Sequence, residues 1–185
     1  MYRFVQLIAA LGVALSGALV GNTLAAELRS RPPHVHGLAT LEIAVEDTIF
    51  AITFRAPAIN VIGFEHAPGT SEEKAAFVQA NATFSAGDRL FVAPAEAGCA
   101  QHSSALTPIA YETDGDDDKP NAPQADYEVT YRFACLHPNK LAWIDTSLFS
   151  AMRNAQRITA NVVTSQLQQQ IELVPGERRI RLQPE

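Results

Sequence analysis

The chain has 185 residues, 20 of them acidic and 14 Lys or Arg, for a net charge of −6 with histidine neutral. A surface of that sign repels phosphate backbones, so nucleic acid is not an expected partner. Apolar residues make up 47% of the chain, which is enough for a buried core.

The first 25 residues read as a signal peptide. Arg3 and the amino terminus form a positive start, Leu7 to Val20 is apolar, and "TLA" before Ala26 offers small residues to a signal peptidase. Cleavage is expected near Ala25. An uncleaved anchor is the alternative, although Ser16 interrupts the apolar run. No cysteine stands at the cleavage point, so lipid attachment is not expected. No later apolar stretch reaches the roughly 20 residues of a membrane span. The mature chain, 26–185, is thus expected to be a single exported domain, periplasmic, with no stable membrane insertion once the leader is gone. Cys99 and Cys135 are the only cysteines. An even count in an oxidising compartment points to one disulfide. A pair of thiolate metal ligands is the alternative, but neither "EAGCAQ" nor "RFACLH" holds a second cysteine.

After the leader, "HVHG" precedes "LATLEIAV", where Leu41, Ile43 and Val45 share one parity and Thr40 and Glu42 the other. That alternation predicts a half-buried strand. "TIFAITFRA" repeats it with Phe50, Ile52 and Phe54, so the two form a hairpin, which Pro57 ends. Thr70 and Glu73 make a capping box for a helix through "TSEEKAAFVQANATFSAG", with Gly87 as its C′ residue. Ala76, Phe77, Ala80 and Phe84 share one face of that helix. "DRLFVAP" and "ALTPIAYE" read as strands. "TDGDDDKPNAPQAD" is polar, acidic and rich in Gly and Pro, and reads as a surface loop over 113–125.

Beyond the loop, "DYEVTYRFAC" is a strand with Tyr127, Val129 and Tyr131 on one parity. In "PNKLAWIDTSLFSAM", Leu141, Ile144, Leu148 and Met152 recur at helical spacing and predict a second helix. "QRITANVVTS", "QQIELVP" and "RRIRL" are three late strands, the last two joined by the turn "PGE". "ITFRA" (from Ile52) and "VTYRFA" (from Val129) echo each other. Each half, about 34–112 and 126–183, then reads as strand, helix, strand, strand. A duplicated unit explains that order, and chance likeness of short strand motifs explains it as well. The expected class is α+β, mostly antiparallel β-sheets with two helices.

Chemistry-bearing residues are few. His34 and His36 stand two apart, so in an extended chain their imidazoles point the same way and can reach one ion at the ~2.0–2.1 Å of a zinc–nitrogen bond. If the strand runs back unbroken, they lie on the face of Thr40 and Glu42; Gly37 is placed to disrupt that alignment. Glu65 and His66, in "GFEHAPGT" before the first helix, are a second pair of suitable metal ligands. Their bland alternative is hydrogen bonding within the loop. His102 and His137 lie near the two cysteines and read as solvated side chains, with a second site as the alternative. Asp114, Asp116, Asp117 and Asp118 lack the spacing and terminal glutamate of an EF-hand and read as a solvated run that makes, at most, weak cation contacts. There is no G-x-S-x-G elbow, no H-E-x-x-H and no phosphate-cradling glycine loop, so an enzyme is not expected.

Four segments, "HVHGLATLEIAVED", "APAINVIGFEHAPGTSEEKAA", "LFVAPAEAGC" and "DYEVTYRFACLHPNKLAWIDTSLF", resemble the ZrgA-like periplasmic zinc-binding proteins, in the same order and across nearly the whole mature chain. The resemblance implies capture of Zn2+ and its delivery to an inner-membrane zinc transporter, not catalysis. It matches His34 and His36 to the family's H-x-H-G start, Glu65 and His66 to its E-H-A-P segment, and Cys99 and Cys135 to its two cysteines. It also exposes a departure. Many such proteins carry a long His- and Asp-rich insertion where this chain has aspartates and no histidine. Zinc capture is therefore expected to rest on His34, His36 and His66, with Glu65 or water completing the shell. The rival expectation is a periplasmic structural or interaction domain with no specific metal binding.

Overall fold

The computed structural model describes residues 35–109, 111 and 125–184. The leader, His34 and the aspartates of the acidic loop lie outside that set. The first hairpin forms as the alternation predicts. β1 (Leu38–Glu46) and β2 (Ile49–Pro57) pair antiparallel, with Leu41 opposite Phe54 and Ile43 opposite Ile52. Asp47, at a φ of 51°, makes the turn between them. β5 (Asp126–Cys135) adds beside β2, and β4 (Cys99–Thr107) beside β5. On the other side, β7 (Arg157–Val163) runs parallel to β1, and β8 (Gln168–Leu173) pairs antiparallel to β7. The order is β4-β5-β2-β1-β7-β8. A second sheet, β3-β6-β9, is built from Phe91–Val92, Trp143–Thr146 and Arg179–Arg181.

One face of the large sheet is the core. Leu41, Ile52, Phe54, Tyr127, Tyr131 and Ile158 are fully buried there. Covering it are α2 (Ser71–Ser85) and the small sheet. Phe84 of α2 stacks on Phe54 at 5.2 Å and meets Tyr127 edge-on at 5.3 Å. Phe91 of β3 does the same against Tyr131. The opposite face is a polar ladder: Thr53 against Thr130, Arg55 against Glu128, Asn161 against Glu42. Period-two alternation thus sorts each strand between core and solvent.

The α+β, mostly antiparallel class stands, with differences in detail. α2 carries the expected capping box, with Thr70 accepting from the Glu73 N–H and Glu73 reaching back to the Thr70 N–H. The second long helix does not form. Its stretch makes a 3-10 turn at Pro138–Lys140, strand β6, and a single turn α4 (Leu148–Ala151). Leu141, Ile144, Leu148 and Met152 are all buried, so the spacing marked buried positions correctly. Pairing of Trp143–Thr146 with both β3 and β9 overrides the helical reading. α1 (Ala58–Val61) and α3 (Gly87–Leu90) are likewise single turns.

Gly87 stands at the expected C′ position of α2, one past the Ala86 C-cap, but not in the left-handed conformation, and it also opens α3. A Cβ there would lie 2.5 Å from Cδ1 of Tyr131, so glycine is required by close approach of the backbone to a ring. "DRLFVAP" yields only two strand residues, and of "ALTPIAYE" only Ala105, Leu106 and Thr107 are strand, as the end of β4, which begins at Cys99. β8 and β9 flank the expected "PGE" turn yet lie in different sheets. The echo strands β2 and β5 are neighbours, so strands from both sides of the acidic loop share one sheet.

Candidate metal site

The residues singled out around His36 converge at one end of the large sheet, where β1 and β7 begin and β2 ends. The strand does not run back through His36. It starts at Leu38, and His36–Gly37 form a turn closed by the Leu38 N–H donating to the Val35 carbonyl. Gly37 sits at a φ of 86°, a left-handed conformation that glycine adopts without steric cost. Strand parity therefore does not orient His36; the turn does.

That turn is held from two directions. The Gly37 carbonyl accepts from the N–H groups of Gln156 and Arg157 at 2.7 and 3.1 Å. The Gly37 N–H donates to Oδ1 of Asn60 at 3.0 Å, and Nδ2 of Asn60 donates to the Leu38 carbonyl at 3.0 Å. Asn60 is fully buried, and its own carbonyl accepts from the Arg153 N–H at 2.8 Å. A second left-handed glycine, Gly63 at 94°, turns the chain from α1 into the loop that carries Glu65 and His66. The side chain of Gln156 lies over Gly37, and that of Arg153 over Gly63.

Within this frame His36 and Glu65 meet. Nε2 of His36 lies 3.2 Å from Oε1 and 3.1 Å from Oε2 of Glu65, nearly equidistant. Both side chains reach solvent, with 57% and 30% of their area exposed, so an ion can enter. His66 turns elsewhere. Its Nδ1 donates to the Ala67 carbonyl at 3.1 Å, its Nε2 lies 3.5 Å from Oε1 of Glu73, and its ring stacks on Phe64. Glu73 meanwhile uses Oε2 to accept from the Gly69 and Thr70 N–H groups. Those bonds hold its carboxyl below the ordinary 4.5, the Thr70 bond contributing most.

The pairs thus formed are His36 with Glu65 and His66 with Glu73. Among the described residues no group of three or more His, Cys, Asp or Glu side chains is placed to hold a metal ion. His34 lies outside those residues, as do Asp114, Asp116, Asp117 and Asp118. His102 stands exposed at an irregularity in the β4–β5 register, and His137 is exposed beside the 3-10 turn. Cys99 and Cys135 lie directly opposite in that register and are joined as a disulfide, so the thiolate alternative falls. No helix among the described residues is long and apolar enough to cross a membrane.

Sequence reasoning found Glu65 and His66 but missed Glu73 as the partner of His66, and missed Asn60 altogether. The signal for Asn60 was a lone polar residue inside the apolar run "AINVIGF". A buried amide must find partners for its donors and acceptor, and such a residue commonly ties down backbone.

The donor chemistry suits zinc. Imidazole nitrogen and carboxylate oxygen are both zinc ligands, and bonds of 2.0–2.1 Å in a tetrahedral shell put neighbouring donors about 3.3 Å apart. The two pairs, at 3.1–3.5 Å, have that spacing. Comparison with curated proteins found no match. A family model described as "ZrgA family zinc uptake protein" matches residues 33–182, which begins just before His34 and takes in every strand of both sheets. The chain belongs to the ZrgA family of zinc uptake proteins.

Proposed function

We propose that this protein captures zinc in the periplasm and hands it to an inner-membrane transporter, after export and removal of a leader ending near Ala25. It acts as a binding protein and not as an enzyme. His36 and Glu65 are the central ligands and His34 supplies a second imidazole from two residues upstream; His66 serves as a third only if its ring leaves Glu73. The observation that carries this reading is the position of Nε2 of His36 between both oxygens of Glu65. An ion pair between the two gives the same distances; what supports zinc is that an imidazole nitrogen and a carboxylate, both zinc ligands, meet where solvent reaches them. Exposure on one side leaves the ion exchangeable, as delivery requires.

The competing reading is a periplasmic structural or interaction domain without specific metal binding. It is favoured by the turn of His66 toward Glu73, which takes one of the expected ligands away from Glu65. Calorimetric zinc titration separates the two. The mature protein should bind zinc, and replacing both His34 and His36 by alanine should weaken binding at least tenfold, about 1.4 kcal/mol. Glu65→Ala should act in the same direction. Circular dichroism should show the fold intact, because His36 lies in a turn outside the core. Unchanged affinity in a folded double variant would leave the structural reading standing.

A further inference from the structure

We infer that Asn60 is a positioning residue for zinc binding: its side-chain amide locks the His36–Gly37 turn onto the segment that carries Glu65. The inference rests on the proposal that His36 and Glu65 bind the ion. His36 and Glu65 are 29 positions apart, on two chain segments that no shared strand or helix holds together at that point. What joins those segments is Asn60. Oδ1 takes the Gly37 N–H, the residue after His36, and Nδ2 gives to the Leu38 carbonyl, the first residue of β1. Both bonds are 3.0 Å. The amide therefore grips the two residues that follow His36, while its own backbone lies five positions before Glu65.

The grip uses both ends of the amide. A donor and an acceptor are needed on two separate atoms: an ionised carboxylate has no donor, and a serine hydroxyl carries both functions on one atom of a shorter side chain, so neither replaces the amide in full. Asn60 is also fixed from behind, because its carbonyl receives the Arg153 N–H and its side chain is wholly buried. It cannot swing to follow a displaced turn. Loss of the amide frees the turn to move His36 relative to Glu65 while leaving both ligands in the protein. Groups that orient metal ligands without touching the ion commonly govern affinity in this way.

The test is a double-mutant cycle on the mature protein, read by calorimetric titration with zinc, with circular dichroism reporting the folded fraction. Asn60→Ser should weaken zinc binding about tenfold when His36 is present. In a His36→Ala background the same substitution should change affinity less than about twofold, because Asn60 has then lost the ligand it positions. Equal losses in both backgrounds, or unchanged affinity in folded Asn60→Ser, would overturn the positioning role while leaving the ligand assignment untouched. If His36→Ala alone leaves affinity unchanged, the ligand assignment fails and the positioning role fails with it. Should Asn60→Ser not fold, amide hydrogen exchange on the unaltered protein decides. The Gly37 amide should be protected, and more so with zinc added; fast exchange at Gly37 in both states would overturn the inference.

Discussion

Glu73 shows how one side chain can serve two structures. Oε2 caps α2 and Oε1 faces His66, so the helix start and the loop of the candidate site share a carboxylate. Its carboxyl is held below 4.5, mainly by the Thr70 and Gly69 N–H groups. Folding then favours the ionised form. The resulting stability is fully present above pH 4.5 and is lost as acid titrates the group through its lowered value. Glu73→Ala should therefore lower the urea midpoint at neutral pH, and the gap from the parent protein should close as pH falls below 4.5. A gap that persists unchanged in acid would mean the charge is not what Glu73 contributes. The capping box was legible from Thr70 and Glu73 alone, because its chemistry is local. The partner of His66 was not: "EHAPGTSEE" offers Glu65, Glu72 and Glu73 as carboxylates, and only the loop path through Gly69 decides among them.

At the scale of elements, Gly87 carries a sharp test. Alanine there would put a methyl group 2.5 Å from Tyr131 and 2.9 Å from Oε1 of Gln101. That oxygen is already engaged by the Asp88 N–H, so it cannot easily give way. Gly87→Ala should cost about 2 kcal/mol, in the range of overpacked cores, read as a lowered midpoint at unchanged denaturant slope. A neutral result would show that α3 slides freely over the sheet. The same element shows what the sequence left out. Gly87 could be read as the residue that follows the helix cap, but nothing in the sequence points to the Tyr131 ring, 44 positions later in the chain, whose close approach is what requires glycine there. Strands with clean alternation, β1, β2, β5 and β7, could be read directly. β6 could not, since Leu141, Ile144, Leu148 and Met152 satisfy a helical spacing while Trp143–Thr146 takes its conformation from β3 and β9.

Across the whole molecule, the aromatic core sets the limit of alkaline stability. Tyr131 is buried and donates to the Phe84 carbonyl at 2.6 Å; Tyr127 donates to Oδ1 of Asn81. Burial raises both phenols far above the usual 10, with the charge of Tyr111 adding to the shift of Tyr127 and that of Tyr127 to the shift of Tyr131. The fold thus favours the protonated form, so stability is full below pH 10 and declines above it as the unfolded chain ionises. Tyrosinate absorbance from these two residues should appear only together with loss of the circular dichroism signal. Tyr131→Phe should move that transition to higher pH while costing about 1 kcal/mol at neutral pH for the lost bond. Ionisation of Tyr131 in a still-folded protein would contradict the packing described. Sheet order was the least legible property of the chain. The hairpin and the late strands were visible one by one, but no pattern in the sequence says that β7 lies beside β1, parallel to it, or that β8 and β9 part company after their turn. Such choices are made by long-range burial, which alternation marks without assigning partners.

The parallel pairing of β1 with β7 has a consequence in time. Glu42 and Asn161, bonded across it, are 119 positions apart, and the Gly37 carbonyl waits for the amides of Gln156 and Arg157. Contacts of such separation close late, because a long stretch of chain must be ordered before they reward it. The β1–β2 hairpin is available early, yet the turn bearing His36 is finished only when the last third of the chain arrives. A chain still folding therefore presents His36 without the frame that aims it at Glu65, and the ion-binding capacity proposed for that pair would mature as one of the last events in the life of the fold.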